Sequence, residues 1–165
     1  MIKLAERLAA GWALAGGVLM IAIMLVTSVN VGAFALDRIA RLFEANVSAL
    51  PGYEDFVRLA VSCAALMFLP YCQHRRGHVA VDLFVSRLPA SVRRGLDRLW
   101  LVAIVLLAMF LAYWMTLGLI ETRDDRALSP VLSWPEWPFY LPGILSLLLW
   151  ALIAGMQVFE SDDHA

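Results

Sequence analysis

The stretch LWLVAIVLLAMFLAYWMTLGLI, from Leu99 to Ile120, carries no charged side chain and is bounded by Arg98 and Glu121. A helix that crosses a bilayer needs about 20 mainly apolar residues, and this run supplies them without interruption. Moving outward, residues 8–36 and 137–159 form two more runs of the same kind, and residues 59–73 a shorter one. The short run reaches spanning length only if Glu54, Asp55 and Arg58 occupy its outer turn, with the long Arg58 stem carrying its charge to the interface. The expected fold is therefore an all-α integral membrane protein. It forms one membrane domain over residues 1–165, with spans at about 12–36, 54–74, 97–120 and 137–159. The first run is too long for the apolar core of a cleaved signal peptide and lacks a small-residue cleavage site.

Composition agrees. Of 165 residues, 62% are hydrophobic and 16% charged, with a mean hydropathy of +0.76. Soluble domains carry about 45–50% apolar and about 25% charged residues. The excess must face lipid, which excludes an ordinary soluble enzyme and a disordered chain. A net charge of −1 provides no basic field for nucleic acid. Cys63 and Cys72, on one helix, would lie ~13 Å apart along its axis, too far for a disulfide.

Loop charges set an expected orientation. Arg75, Arg76, Arg87, Arg93, Arg94 and Arg98 lie between the second and third spans, and Lys3 and Arg7 precede the first. Arg38, Arg41, Arg123 and Arg126 sit on the other side, where Asp37, Glu44, Glu121, Asp124, Asp125 and Glu136 counter them. The positive-inside rule then places both termini in the cytoplasm. Trp134, Trp137 and Tyr140 fall at the outer entry of the last span, and Trp12 at the inner start of the first, as interface anchors.

The connections differ in character. Val81, Phe84, Val85, Leu88, Val92, Leu96 and Leu99 recur at helical steps opposite the arginines. Such a pattern predicts an amphipathic interfacial helix at about 79–88 on the cytoplasmic side, its arginines paired with lipid head groups. Pro89 ends that segment and can open the next helix. Gly77 is suited to a helix end, and Asp82 to the first turn of the next helix, so Gly77, His78 and Asp82 read as a hinge. In the first outer connection, Leu50-Pro51-Gly52 signals a turn. Pro130, Pro135, Pro138 and Pro142 predict a stiff, extended approach to the last span.

Chemistry-bearing residues are sparse. Thr27, Ser28, Asn30, Thr116 and Ser146 are the polar groups noted within the spans, and no acid lies mid-span. This argues against a proton relay through the chain and against an enzyme. Asn30 is expected to bond a neighbouring helix. Arg58 is expected to pair with Glu54 or Asp55 and to contribute to helix or subunit packing with them. His74 and His78 share a helical face, a spacing that also suits a metal or haem. No second pair faces them from another span, so no cofactor and no metal site is expected.

Arg75-Arg76-Gly77-His78-Val79-Ala80-Val81-Asp82, followed by Leu88-Pro89 and Arg93 or Arg94, resembles the signature of the small membrane subunit of TRAP (tripartite ATP-independent periplasmic) transporters, the DctQ-like small permease family. Glu54, Asp55 and Arg58 match that family's acids and Arg at the start of span two, with Tyr53 where Trp is frequent. Ser129, Pro135, Trp137, Tyr140, Pro142 and Gly143 resemble its Pro-x-Trp segment, and the likeness covers roughly residues 12–159. The resemblance implies a non-catalytic scaffold in the bacterial inner membrane. It would support a large elevator-type permease subunit and help dock a periplasmic substrate-binding protein, in sodium-driven symport of organic acids. Two other readings stay open at this point. One is a respiratory-complex anchor binding haem or quinone through His74 and His78. The other is the small subunit of a tripartite tricarboxylate transporter.

Overall fold

The structure is a computed structural model that describes residues 2–41, 50–75 and 89–163. Helix α1 spans Ile2–Ala40, α2 Tyr53–His74, α3 Ala90–Asp124 and α4 Tyr140–Asp163, with a 3-10 turn at Trp137–Phe139 before α4. Each of the four helices contains a stretch long and apolar enough to cross a membrane, as the charge-free runs require. The short second run gains its length as expected, by taking Glu54 and Asp55 into its first turn. Pro89 precedes the first residue of α3, where its missing N–H costs nothing. The expected interfacial helix at 79–88 lies outside the described residues, as do Arg76, Gly77, His78, Asp82 and Arg87.

The helices are neighbours in the order α1, α2, α4, α3, and α1 also reaches α4. Within an 18-residue apolar window, 33% and 39% of residues are buried in α2 and α4, against 11% and 17% in α1 and α3. The central pair therefore carries the packing, and α1 and α3 form the two edges. Small residues make the close approaches. Ala60 and Ala64 of α2 meet Ile23 of α1. Ala5 and Ala9 of α1 meet Ile153 of α4. Ile104, Ala108 and Ala112 of α3 interlock with Leu147, Trp150, Ala151 and Ala154 of α4. Lipid is as apolar as Leu, so membrane helices associate by such tight van der Waals contact and by hydrogen bonds rather than by exclusion from water.

Polar groups inside the layer are bonded accordingly. Thr27 and Thr116 donate to carbonyls one turn back, Ile23 and Ala112, at 2.8 Å and 2.7 Å. Trp12, expected as an interface anchor, has a partner on another helix. Its indole donates to Ser146 Oγ of α4 at 2.7 Å, and Ser146 donates in turn to the Pro142 carbonyl at 2.7 Å. A nearby hydroxyl acceptor inside the layer satisfies the N–H more firmly than the interface would. Both cysteines are free, on α2.

Candidate functional site

The most elaborate arrangement lies at the end of the layer where α2 begins and α3 ends. It is built on residues 121–136, which the proline count predicts to be stiff and extended. They instead fold back on themselves. The Ala127 N–H donates to Thr122 O at 3.1 Å and closes the end of α3. The Ser129 N–H then donates to Trp134 O at 2.8 Å, and the Glu136 N–H to Ala127 O at 3.2 Å. Leu128 and Pro135 form an antiparallel bridge. Arg126 and Ser133 take left-handed backbone, φ 50° and 52°, which lets the chain reverse. The prolines stand beside the reversal and do not straighten it. The Ser129 hydroxyl is fully buried and accepts from the Trp134 N–H at 3.1 Å, so the two strands of this hairpin are tied through side chain as well as backbone.

A carboxylate of α2 holds the hairpin by its backbone. Asp55 Oδ2 accepts from the backbone N–H groups of Val131 and Leu132 at 2.8 Å and 3.0 Å. A carboxylate that receives backbone N–H groups makes charge-assisted bonds, about twice as strong as neutral ones. Gly52 makes the approach possible. Its φ is +80°, and an added Cβ would lie 2.6 Å and 2.7 Å from Leu132 Cγ and Cδ2. One turn along, Arg58 Nη2 donates to Glu136 Oε1. The expected partners of Arg58 were Glu54 and Asp55. Asp55 is turned to the hairpin backbone and Glu54 stays exposed, so the acid that the hairpin brings across takes their place. Arg123, at the end of α3, lies over the Trp137 ring with 5.7 Å to its centroid. The Cys63 thiol donates to the Phe139 carbonyl at 3.0 Å.

Asn30 joins the same end, but to a different partner from the one expected. It is fully buried, and its Oδ1 accepts from the Leu50 N–H at 3.0 Å. The bond reaches the connection before α2 rather than a helix face, because α1 rises past the start of α2. Its Nδ2 has no partner among the described residues.

The opposite end has a second polar cluster, which the sequence analysis missed. Gln73 Nε2 of α2 donates to Gln157 Oε1 of α4 at 2.7 Å, and Gln157 Nε2 donates back to the Gln73 carbonyl at 3.1 Å. The Trp150 indole donates to Gln73 Oε1 at 3.1 Å. The available signal was a Gln at the same end of two otherwise apolar spans. His74, beside this cluster, lies 3.6 Å from Glu6 of α1.

The remaining expected site residues are dispersed. Arg75 is exposed, packs over Tyr71 and donates to its hydroxyl at 3.1 Å. Arg93 and Arg94 fall in the first turns of α3. Tyr140 packs where a side chain at Gly118 would stand, 3.2 Å from the position of its Cβ. Leu128, Val131 and Trp134 leave 56%, 59% and 43% of their surfaces exposed, giving the hairpin an apolar tip. Among the described residues no group of three His, Cys, Asp or Glu side chains is placed to hold a metal. The arrangement fixes an apolar-tipped loop on α2.

The family model for tripartite ATP-independent periplasmic transporters, DctQ component, matches residues 30–163. Neither the curated proteins nor the solved structures contain a match.

Proposed function

Because this chain belongs to the family of DctQ components of tripartite ATP-independent periplasmic transporters, we propose that it is the small, non-catalytic scaffold subunit of a sodium-coupled transporter for organic acids. In this reading it enlarges the fixed part of a large elevator-type permease subunit and helps dock the periplasmic substrate-binding protein. It sits in the bacterial inner membrane with both termini in the cytoplasm, so the hairpin faces the periplasm. Trp134, Trp137 and Tyr140 then lie near the outer lipid interface. Arg75, Arg76, Arg87, Arg93 and Arg94 lie near the inner one, where anionic head groups favour them.

The observation that carries this reading is the low burial of two of the four spans: only 11% and 17% of the apolar windows of α1 and α3 are buried within the chain, which suits packing against a larger membrane body. The rigid hairpin, clamped by Asp55, offers the binding protein a fixed surface. The test is reconstitution in proteoliposomes of this chain with a large permease subunit and a binding protein of the same transporter family, followed by uptake of a dicarboxylate and keto-acid panel under a sodium gradient. Uptake is expected with all three components and lost when this chain is omitted. Uptake by this chain alone, or full uptake without it, would overturn the proposal.

A further inference from the structure

The two edges of the layer are covered differently. The outward face of α1 is aliphatic, as at Leu14, Val18, Ile21, Met24 and Leu25, and lipid satisfies it. The exposed surface of α3 carries a cluster of aromatic rings among its leucines, with two polar donors. Phe110, Tyr113 and Trp114 are 58%, 61% and 57% exposed. Their rings meet edge to face, with centroids 6.2 Å apart for Phe110 and Trp114 and 6.1 Å apart for Tyr113 and Trp114. This patch points away from α4, which α3 meets through Ile104, Ala108 and Ala112.

The depth of the patch is what lipid cannot explain. Tyr and Trp ordinarily lie at the membrane–water interface, where ring and polar tip are both satisfied. Here Tyr113 stands ~12 Å along the helix from Glu121 and ~22 Å from Arg98. Helical side chains lean toward the helix N-terminus, so the phenol of Tyr113 is carried away from Glu121, deeper into the hydrocarbon. Neither its hydroxyl nor the Trp114 indole N–H has a partner among the described residues. A donor left in hydrocarbon without an acceptor is unfavourable.

We infer that the Phe110–Tyr113–Trp114 face of α3 is the seat for a transmembrane helix of the large permease subunit, one that presents a hydrogen-bond acceptor at mid-depth. This rests on the proposed function, which supplies the large subunit. A Ser, Thr or Asn side chain on a fixed helix of the large subunit is an acceptor of the required kind, as polar side chains commonly bond across membrane helices. A second copy of this chain fits less well. A two-fold interface places the same patch against itself, and the indole is a donor only, so the patch offers its copy a single acceptor, the phenolic oxygen.

The test uses the complete complex in native membranes. A photo-reactive benzophenone side chain is introduced at Tyr113 and, in a separate sample, at Met24 on the aliphatic edge. Light is expected to join position 113, and not position 24, to the large subunit. In parallel, Tyr113→Phe is expected to lower recovery of the large subunit in detergent about threefold, the loss of one hydrogen bond in a membrane. If the unmodified chain retains the large subunit but position 113 labels lipid, or a second copy of this chain, the inference falls and the proposed function stands. If the unmodified chain retains no large subunit, both fall.

Discussion

The two ends of the helical layer are fastened by opposite chemistry. Where α2 begins, a carboxylate receives two backbone N–H groups and an Arg–Glu pair closes beside it. Where α2 ends, two glutamines and an indole bond one another with no formal charge. The hairpin end lies among charged loop residues, where water can solvate what the clamp leaves over. The glutamine cluster is buried between two apolar helices, where a charge would be far more costly than an amide. The difference teaches what each fastening can tolerate. The first depends on backbone geometry, and the second on keeping every donor and acceptor matched.

The largest effect is expected at Gly52. Its φ of +80° resists a β-branched residue, and any Cβ collides with Leu132. Gly52→Val combines backbone strain with overpacking and should cost about 3 kcal/mol, read as a fall in thermal stability of the detergent-purified complex. Gly52→Ala should cost less, because Leu132 can shift and Ala tolerates positive φ better than Val. Equal effects would mean that the backbone conformation is not the constraint.

The glutamine cluster should come next, with a distinctive pattern. Gln73→Leu removes the donor to Gln157 Oε1 and the acceptor of the Trp150 indole N–H, while the Gln157 bond to the residue-73 carbonyl survives, at a cost of about 1–3 kcal/mol for the groups left unmatched. Replacing both Gln73 and Gln157 with Leu removes the unmatched amide and should restore part of that loss. Thermal unfolding of Gln73→Leu, Gln157→Leu and the double variant decides the matter: a double variant destabilised by more than the sum of the two singles would break the account of matched partners.

Asp55 tests the other fastening. Asp55→Ala frees the Val131 and Leu132 N–H groups and should raise protease nicking of the hairpin roughly tenfold, as local opening becomes easier. Asp55→Asn keeps one acceptor oxygen for both N–H groups and should nick at an intermediate rate. Intact helices under the same protease would show that the change is confined to the hairpin.

Reading the chain without its structure reached some of this and stopped at identifiable points. The four spans were legible because absence of charge over a sufficient length is a one-dimensional property. The start of α3 was legible because Pro89 acts on its own neighbours. The hairpin was misread because proline density excludes helix interiors without specifying a shape. The reversal at Arg126 and Ser133 uses positive φ at residues that carry no glycine signal. The glutamine cluster joins residues 84 positions apart, and periodicity within one helix cannot register such a partner. The importance of Asp55 and Arg58 was visible from their place in a marginal span, but what they touch was not.

The smallest effect should come from the Arg58–Glu136 pair, although it joins residues 78 positions apart and closes beside the clamp. Arg58 leaves 57% of its side chain exposed and Glu136 23%. An exposed pair gains little Coulomb energy in water-like surroundings and is screened by salt, so such pairs are worth about 0–1 kcal/mol. Arg58→Ala should therefore lower stability of the purified complex by no more than about 1 kcal/mol, with the deficit shrinking as salt is raised. Arg123→Ala, which removes a cation from the face of Trp137, should cost about 0.5–1 kcal/mol and respond less to salt, because the lost contact is partly packing of the guanidinium plane on the ring. A double-mutant cycle between Arg58→Ala and Glu136→Ala separates the pair from its surroundings. A coupling near 1 kcal/mol at low salt that vanishes at high salt fits a surface ion pair. A coupling several times larger and indifferent to salt would mean that Glu136 is shielded from water in the assembled transporter, and that the hairpin end is covered by a partner.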